Sequence, residues 1–203
     1  MKPFVKICGL RHAATVEAAV AAGADAVGFV FAPSVRRVTA REAAVAANRV
    51  PRQVLRVAVM LHPTVEEWRE VETIFCPDVL QTDASDFDYL DVPPEIARWP
   101  VLREGRVNPE ALPGTFVYEG AASGRGERVD WHTAAELAKR GRMLLAGGLD
   151  PGNVAQAIAD VAPWGVDVSS AVESAPGIKD PHLIHAFIAA AKGSDQRELL
   201  KYE

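Results

Sequence analysis

The segment FVKICGL, residues 4–10, is an apolar run that ends in a thiol, Cys8, followed by a glycine. A cysteine there has three readings: a small buried hydrophobe, a redox partner, or a nucleophile or base placed where a strand meets a loop. TFVYE ends in a carboxyl, Glu119, which can exchange a proton or pair with an arginine such as Arg125. FAPSVRRVT carries Arg36 and Arg37, either of which can grip a carboxylate by two parallel hydrogen bonds or stand as a solvated charge. Two small-residue stretches suit an anion. LAGGLDPGNV holds Gly147 and Gly148, which let backbone N–H groups approach without an intervening Cβ, and VDVSSAVES holds Ser169 and Ser170.

These groups fall at the ends of short apolar runs. FVKIC, AVGFVF, VLRVAVML, DVLQT, PVLRE, TFVYE, RMLLAG and GVDVS make eight strand candidates, with little polar alternation, as in a parallel sheet buried on both faces. Helical stretches separate them. TVEAAVAAG stops at Gly23, TAREAAVAANRV starts from Thr39, and TVEEWREVETIF has the capping-box pair Thr64 and Glu67 ahead of an apolar face of Trp68, Val71 and Phe75. DPGNVAQAIADV and DPHLIHAFIAAA each open with an aspartate cap, Asp150 or Asp180, and a proline at the first helical position, Pro151 or Pro181.

Eight strand–helix steps predict an α/β fold: a single, compact (β/α)8 TIM barrel over residues 1–193, with abbreviated helices after strands four and five and a polar tail at 194–203. In that architecture chemistry sits at the C-terminal ends of the strands, and a phosphate is commonly held between the loops after strands seven and eight. Gly147, Gly148, Ser169 and Ser170 occupy those loops, and Thr82 and Asp83 follow strand four.

Composition narrows the classes. With 22 basic against 27 acidic residues, a net charge of −5 and no basic stripe, the chain does not read as a nucleic-acid binder. The two cysteines, Cys8 and Cys76, lack metal-ligand or CxxC spacing, which fits a reducing compartment. No apolar stretch reaches the roughly 18 residues of a membrane span, and no signal-peptide core appears. The expectation is a cytoplasmic protein, monomer or homodimer, with no membrane or nucleic-acid partner.

KICGL, GADAVGFVF, GGLDPGNV and VDVSSAVESAPGIKD, in this order and spacing over nearly the whole chain, resemble the phosphoribosylanthranilate isomerase family of tryptophan biosynthesis. The resemblance implies an Amadori rearrangement, the third step from chorismate. N-(5-phosphoribosyl)anthranilate opens and isomerises to the 1-deoxyribulose 5-phosphate derivative, without cofactor or metal. It implies that Cys8 is the base that takes the C2′ proton. The family's acid is an aspartate; at the matching strand end this chain has Glu119, ahead of a shortened loop, SGRGERVDW, which aligns through Gly126, Asp130 and Trp131.

By the same resemblance Arg36 would bind the anthranilate carboxylate, with Arg37 in the family's aromatic position and the register open by one residue. Gly147, Gly148, Ser169 and Ser170 would hold the phosphate. Asp167 would orient the substrate hydroxyls or hold the barrel mouth together. Strand four departs from the family: VLQTDAS replaces VQLHG, leaving Thr82 or Asp83 in place of the histidine. Two other readings remain. Another phosphosugar-isomerising barrel is disfavoured because the histidines mostly miss the strand ends and no half-barrel repeat is evident. A barrel that binds a phosphosugar without turning it over would lack the acid and base found here.

Overall fold

The computed structural model describes residues 2–108, 112–120 and 129–193. The tail at 194–203, and Arg125 and Gly126 of the loop after the sixth strand, lie outside the described residues.

Eight parallel strands close into a barrel: β1 (Phe4–Cys8), β2 (Ala26–Val30), β3 (Leu55–Val59), β4 (Val79–Asp83), β5 (Ala97–Arg103), β6 (Thr115–Glu119), β7 (Arg142–Leu145) and β8 (Gly165–Val168), which pairs back with β1. All eight coincide with the apolar runs of the sequence. Around them lie α1 (Ala13–Ala21), α2 (Ala40–Ala46), α3 (Val65–Phe75), α4 (Trp131–Ala138), α5 (Val154–Val161) and α6 (Pro181–Lys192). After β4 the connection shrinks to a 3-10 turn, Ala84–Asp88. Between β5 and β6 the described residues form no helix.

Period-two alternation decides what each strand offers to each side. In β1, Val5 and Ile7 join the layer between barrel and helices, whereas Phe4, Lys6 and Cys8 turn inward. The barrel interior is packed by Ala26, Val57, Val79, Val101, Val117 and Leu144. At its N-terminal end Phe4 stacks on Trp164, with ring centroids 4.5 Å apart, and Trp99 meets both rings edge-on at 5.9 and 6.3 Å. Such aromatic pairs add about 0.5–1.5 kcal/mol each beyond their burial, enough to close this end firmly.

The Thr39 cap and the Thr64–Glu67 capping box form as the sequence predicts, Glu42 completing a second box at Thr39, and α3 buries Trp68, Val71 and Phe75. Asp180 caps α6, with Pro181 in its first turn. The start of α5 is a correction: Asn153, not Asp150, occupies the cap position, and the helix begins at Val154. Asp150 instead closes a preceding turn, Oδ1 accepting from the N–H groups of Gly152 and Asn153 at 2.7 and 2.9 Å. Asn153 Nδ2 then donates to the Gly148 carbonyl at 2.8 Å, so the turn braces the glycine loop. The chain after β8 also differs from a direct strand–helix step. A 3-10 turn, Ser170–Val172, leads into a small antiparallel hairpin, β9 (Glu173–Ala175) and β10 (Ile178–Lys179), before α6.

Candidate active site

A cavity of about 310 Å³ opens at the C-terminal end of the barrel. Its lining contains every residue singled out as a site residue from sequence: Cys8, Arg36, Glu119, Gly147, Gly148, Asp167, Ser169 and Ser170. The two open pairs differ in position. Arg36 lines this cavity, whereas Arg37 bridges to Val30 and borders a separate groove. Asp83 faces the cavity; Thr82 is fully buried and donates its hydroxyl to Asp86.

Cys8 ends β1 and is 7% exposed. The glycine after it has a structural cause. Gly9 has φ +75, and a Cβ there would stand 2.6 Å from Arg36 Cδ and 3.0 Å from Ser169 Oγ. Any larger residue would force the Arg36 and Ser169 side chains to shift. Ser169 Oγ donates to the Cys8 carbonyl at 3.2 Å, tying the end of β8 to the end of β1.

Directly below the thiol, Lys6 is fully buried inside the barrel, and its Nζ donates to Asp167 Oδ2 at 2.8 Å. Burial works against the Lys6 charge, but Asp167 and Cys8 outweigh it, so the ammonium holds its proton above the ordinary lysine range. The other Asp167 oxygen, Oδ1, is buried with no hydrogen-bond partner among the described residues. Burial pushes the Cys8 thiol up from its usual value, opposed by the cations Lys6 and Lys179.

A second cluster closes the side of the mouth next to β8. Arg36 Nε and Nη2 donate to the two oxygens of Glu173 at 2.6 and 2.9 Å. Lys179 Nζ, on β10, reaches Glu173 Oε1 at 2.8 Å and the Ser169 carbonyl at 2.8 Å. Although burial opposes its ionisation, hydrogen bonds from Arg36, Lys179 and the Gly177 N–H bring the Glu173 carboxyl down to about 2. Burial draws Lys179 below the usual lysine value.

The opposite wall carries a third cluster. Arg103, in register with Glu119 across the β5–β6 pair, donates one Nη to Glu119 and the other to Asp83. Pairing with an arginine, the alternative to proton exchange that the sequence left open for Glu119, is made by Arg103; Arg125 lies outside the described residues. Behind Asp83, the His62 ring lies 3.5 Å away and hydrogen-bonds Asp86 at 2.8 Å, a contact that raises the imidazole above its ordinary value. Gln81 also reaches the cavity, 4% exposed, its side-chain oxygen unpartnered among the described residues.

Sequence reading did not single out Lys6, Gln81, Arg103, Glu173 or Lys179. For Lys6 a signal existed: it lies two residues before Cys8 on a strand, hence on the same face. Chemically, the cavity presents a thiol and a carboxyl from different walls, a guanidinium at the rim, and two loops of small residues. Gly147 and Gly148 have φ of 87 and 63, left-handed values that side chains resist, so these glycines are required for the loop's shape. Among the described residues no group of three or more His, Cys, Asp or Glu is placed to hold a metal ion, and no helix is long and apolar enough to cross a membrane.

Comparison with known proteins adds to this geometry. The family model described as PRAI, N-(5'phosphoribosyl)anthranilate (PRA) isomerase, matches residues 108–190. A curated N-(5'-phosphoribosyl)anthranilate isomerase from Roseiflexus sp. (strain RS-1) is 39% identical over 213 positions, covering 95% of this chain and 99% of that one. Among solved structures, TrpF from Jonesia denitrificans superposes with a TM-score of 0.79 at 33% identity, covering 96% of this chain and 98% of that one. A phosphoribosyl anthranilate isomerase in complex with reduced 1-(o-carboxyphenylamino)-1-deoxyribulose 5-phosphate superposes with a TM-score of 0.75 at 31% identity, covering 94% and 99% of the two chains.

Proposed function

Since this chain belongs to the N-(5'-phosphoribosyl)anthranilate isomerase family, we propose that it isomerises N-(5-phosphoribosyl)anthranilate to 1-(2-carboxyphenylamino)-1-deoxyribulose 5-phosphate, with Cys8 as base and Glu119 as acid. The observation that carries the assignment is the single cavity that gathers thiol, carboxyl, guanidinium and both small-residue loops.

The reaction needs two proton transfers. Glu119 gives a proton to the ring oxygen, the C1′–O bond breaks, and the anilino nitrogen lone pair forms the Schiff base. Cys8, as thiolate, then removes the C2′ proton; the electrons of the C–H bond become the C1′–C2′ double bond and the iminium nitrogen is neutralised. The enolamine so formed tautomerises to the ketone, with a proton returned to C1′. Electrons move only within the substrate, so the chemistry asks for no redox cofactor.

Placement of the remaining groups follows from their chemistry. Arg36 takes the anthranilate carboxylate, and the loops of Gly147, Gly148, Ser169 and Ser170 take the phosphate through backbone N–H groups. Asp167 offers its unpartnered Oδ1 to a sugar hydroxyl. Glu119 must carry a proton although it touches a guanidinium. Arg103 is shared with Asp83, so a proton on Glu119 leaves the arginine with a second carboxylate beside it. The enzyme works in the cytoplasm, as a monomer or a homodimer.

The test is restoration of growth to a tryptophan auxotroph lacking this isomerase, together with product formation by the purified protein. Growth with the parent chain and none with Cys8→Ser is the expected pair of results. Failure of the folded parent chain to form product would overturn the assignment.

A further inference from the structure

We infer that Lys6 is a positioning residue for proton transfer: its buried ammonium, anchored on Asp167, holds negative charge on the Cys8 sulfur when the thiol gives up its proton. The inference builds on Cys8 acting as the base, and extends that reading to a residue beneath the site.

The geometry is that of a short column along the barrel interior. Lys6 and Cys8 point inward from alternate positions of β1, and the neighbouring strand puts a glycine beside both. A Cβ on Gly28 would lie 3.1 Å from Cys8 Sγ and 3.1 Å from Lys6 Cε. No side chain from β2 therefore separates them. On the other side, β8 supplies Asp167, whose Oδ2 takes the Lys6 ammonium at 2.8 Å. A fully buried ammonium needs compensation, and one carboxylate supplies it.

The other charges around the thiol also matter. Lys179 faces it from β10 and Arg36 from the loop after β2, and both are paired with Glu173, from β9. Ser169, after β8, brings only a neutral hydroxyl to the Cys8 carbonyl. The surrounding charges are thus three cations, Lys6, Lys179 and Arg36, and two carboxylates, Asp167 and Glu173. With a neutral thiol this group carries one surplus positive charge; a thiolate cancels it. Of the three cations, Lys6 is the one that shares a strand face with the sulfur and has no exit to solvent.

Two substitutions with opposite expected signs test this. In a Cys76→Ser background, which removes the exposed second thiol, iodoacetamide reacts with the Cys8 thiolate: a carbon–sulfur bond forms and iodide leaves. The reaction rate against pH gives the thiol's titration midpoint. Lys6→Met is expected to raise that midpoint and slow alkylation roughly tenfold near neutral pH, one pH unit of displacement. Asp167→Asn, which removes the negative charge and leaves the ammonium facing the sulfur alone, is expected to lower the midpoint.

An unmoved midpoint in folded Lys6→Met would overturn the inference. If Lys6→Met fails to fold, as judged by near-ultraviolet circular dichroism, Asp167→Asn decides: a midpoint that stays or rises overturns it. Alkylation reads the thiol whether or not catalysis uses it. Retained turnover in Cys8→Ser would instead remove the base assignment and leave the Lys6–Cys8 coupling standing.

Discussion

Arg36 lays Nε and Nη2 against the two oxygens of Glu173, at 2.6 and 2.9 Å, across 137 residues of sequence. This two-pronged contact fastens the loop after β2 to the hairpin after β8, and it fixes the plane of the guanidinium before any ligand arrives. A substrate carboxylate that meets Arg36 meets a group already oriented, which reduces the ordering cost of binding.

Arg36→Ala should therefore raise KM for the anthranilate substrate well above the effect of Arg37→Ala. Loss of a hydrogen bond to a charged group costs about 1.5–3 kcal/mol, or roughly ten- to a hundredfold in affinity. Arg36→Lys should not restore binding fully, because an ammonium lacks the planar fork. Steady-state kinetics on the three variants decides; a larger effect at Arg37 would shift the assignment by one residue.

Removing either of the two groups proposed to transfer protons should spare the fold and cost turnover. Cys8→Ser and Glu119→Gln are each expected to lower kcat by about 10²–10⁴ while the melting temperature moves little. Near-parental turnover in Glu119→Gln would exclude Glu119 as the acid.

The Glu173 cluster predicts an acid limb in stability. With the folded carboxyl brought down to about 2, against about 4.3 for an unfolded glutamate, its contribution is complete above that unfolded value and is lost as pH falls toward the folded one. Thermal melts of Glu173→Gln and the parent chain should differ most near neutral pH and converge in acid. A gap that is constant with pH would argue against the ionised cluster.

Inorganic phosphate should raise the melting temperature by mass action. A ligand at a hundred times its dissociation constant adds about 2.7 kcal/mol. Gly148→Ala, at φ +63, strains a left-handed backbone by about 1–2 kcal/mol and should weaken this response. The same phosphate shift in Gly148→Ala as in the parent would place the anion elsewhere.

The strands were legible because their runs are apolar on both faces, and that same property hid part of the site. In β1 the inward residues include a lysine and a thiol, but the outward Val5 and Ile7 dominate the pattern, so Lys6 read as an interruption. Arg103 was invisible for another reason. Its link to Glu119 depends on the register between β5 and β6, and registers between parallel strands leave no trace in local sequence. Capping was readable where a threonine and a glutamate sit three apart, as at Thr39 and Thr64. It misled at Asp150, where Asp150 and Asn153 both suit a cap and their mutual hydrogen bonds settled the choice.

The packed interior of Ala26, Val57, Val79, Val117 and Leu144, sealed at the far end by Phe4, Trp99 and Trp164, makes the barrel a cup rather than a pipe. Substrate and product must share one doorway, so each turnover has to empty before the next can begin. By the proposed mechanism, a ring-opened Schiff base held in the cavity above that packed interior can be reached by water only from the rim. In such a vessel the rim is the one route for substrate, product and water alike.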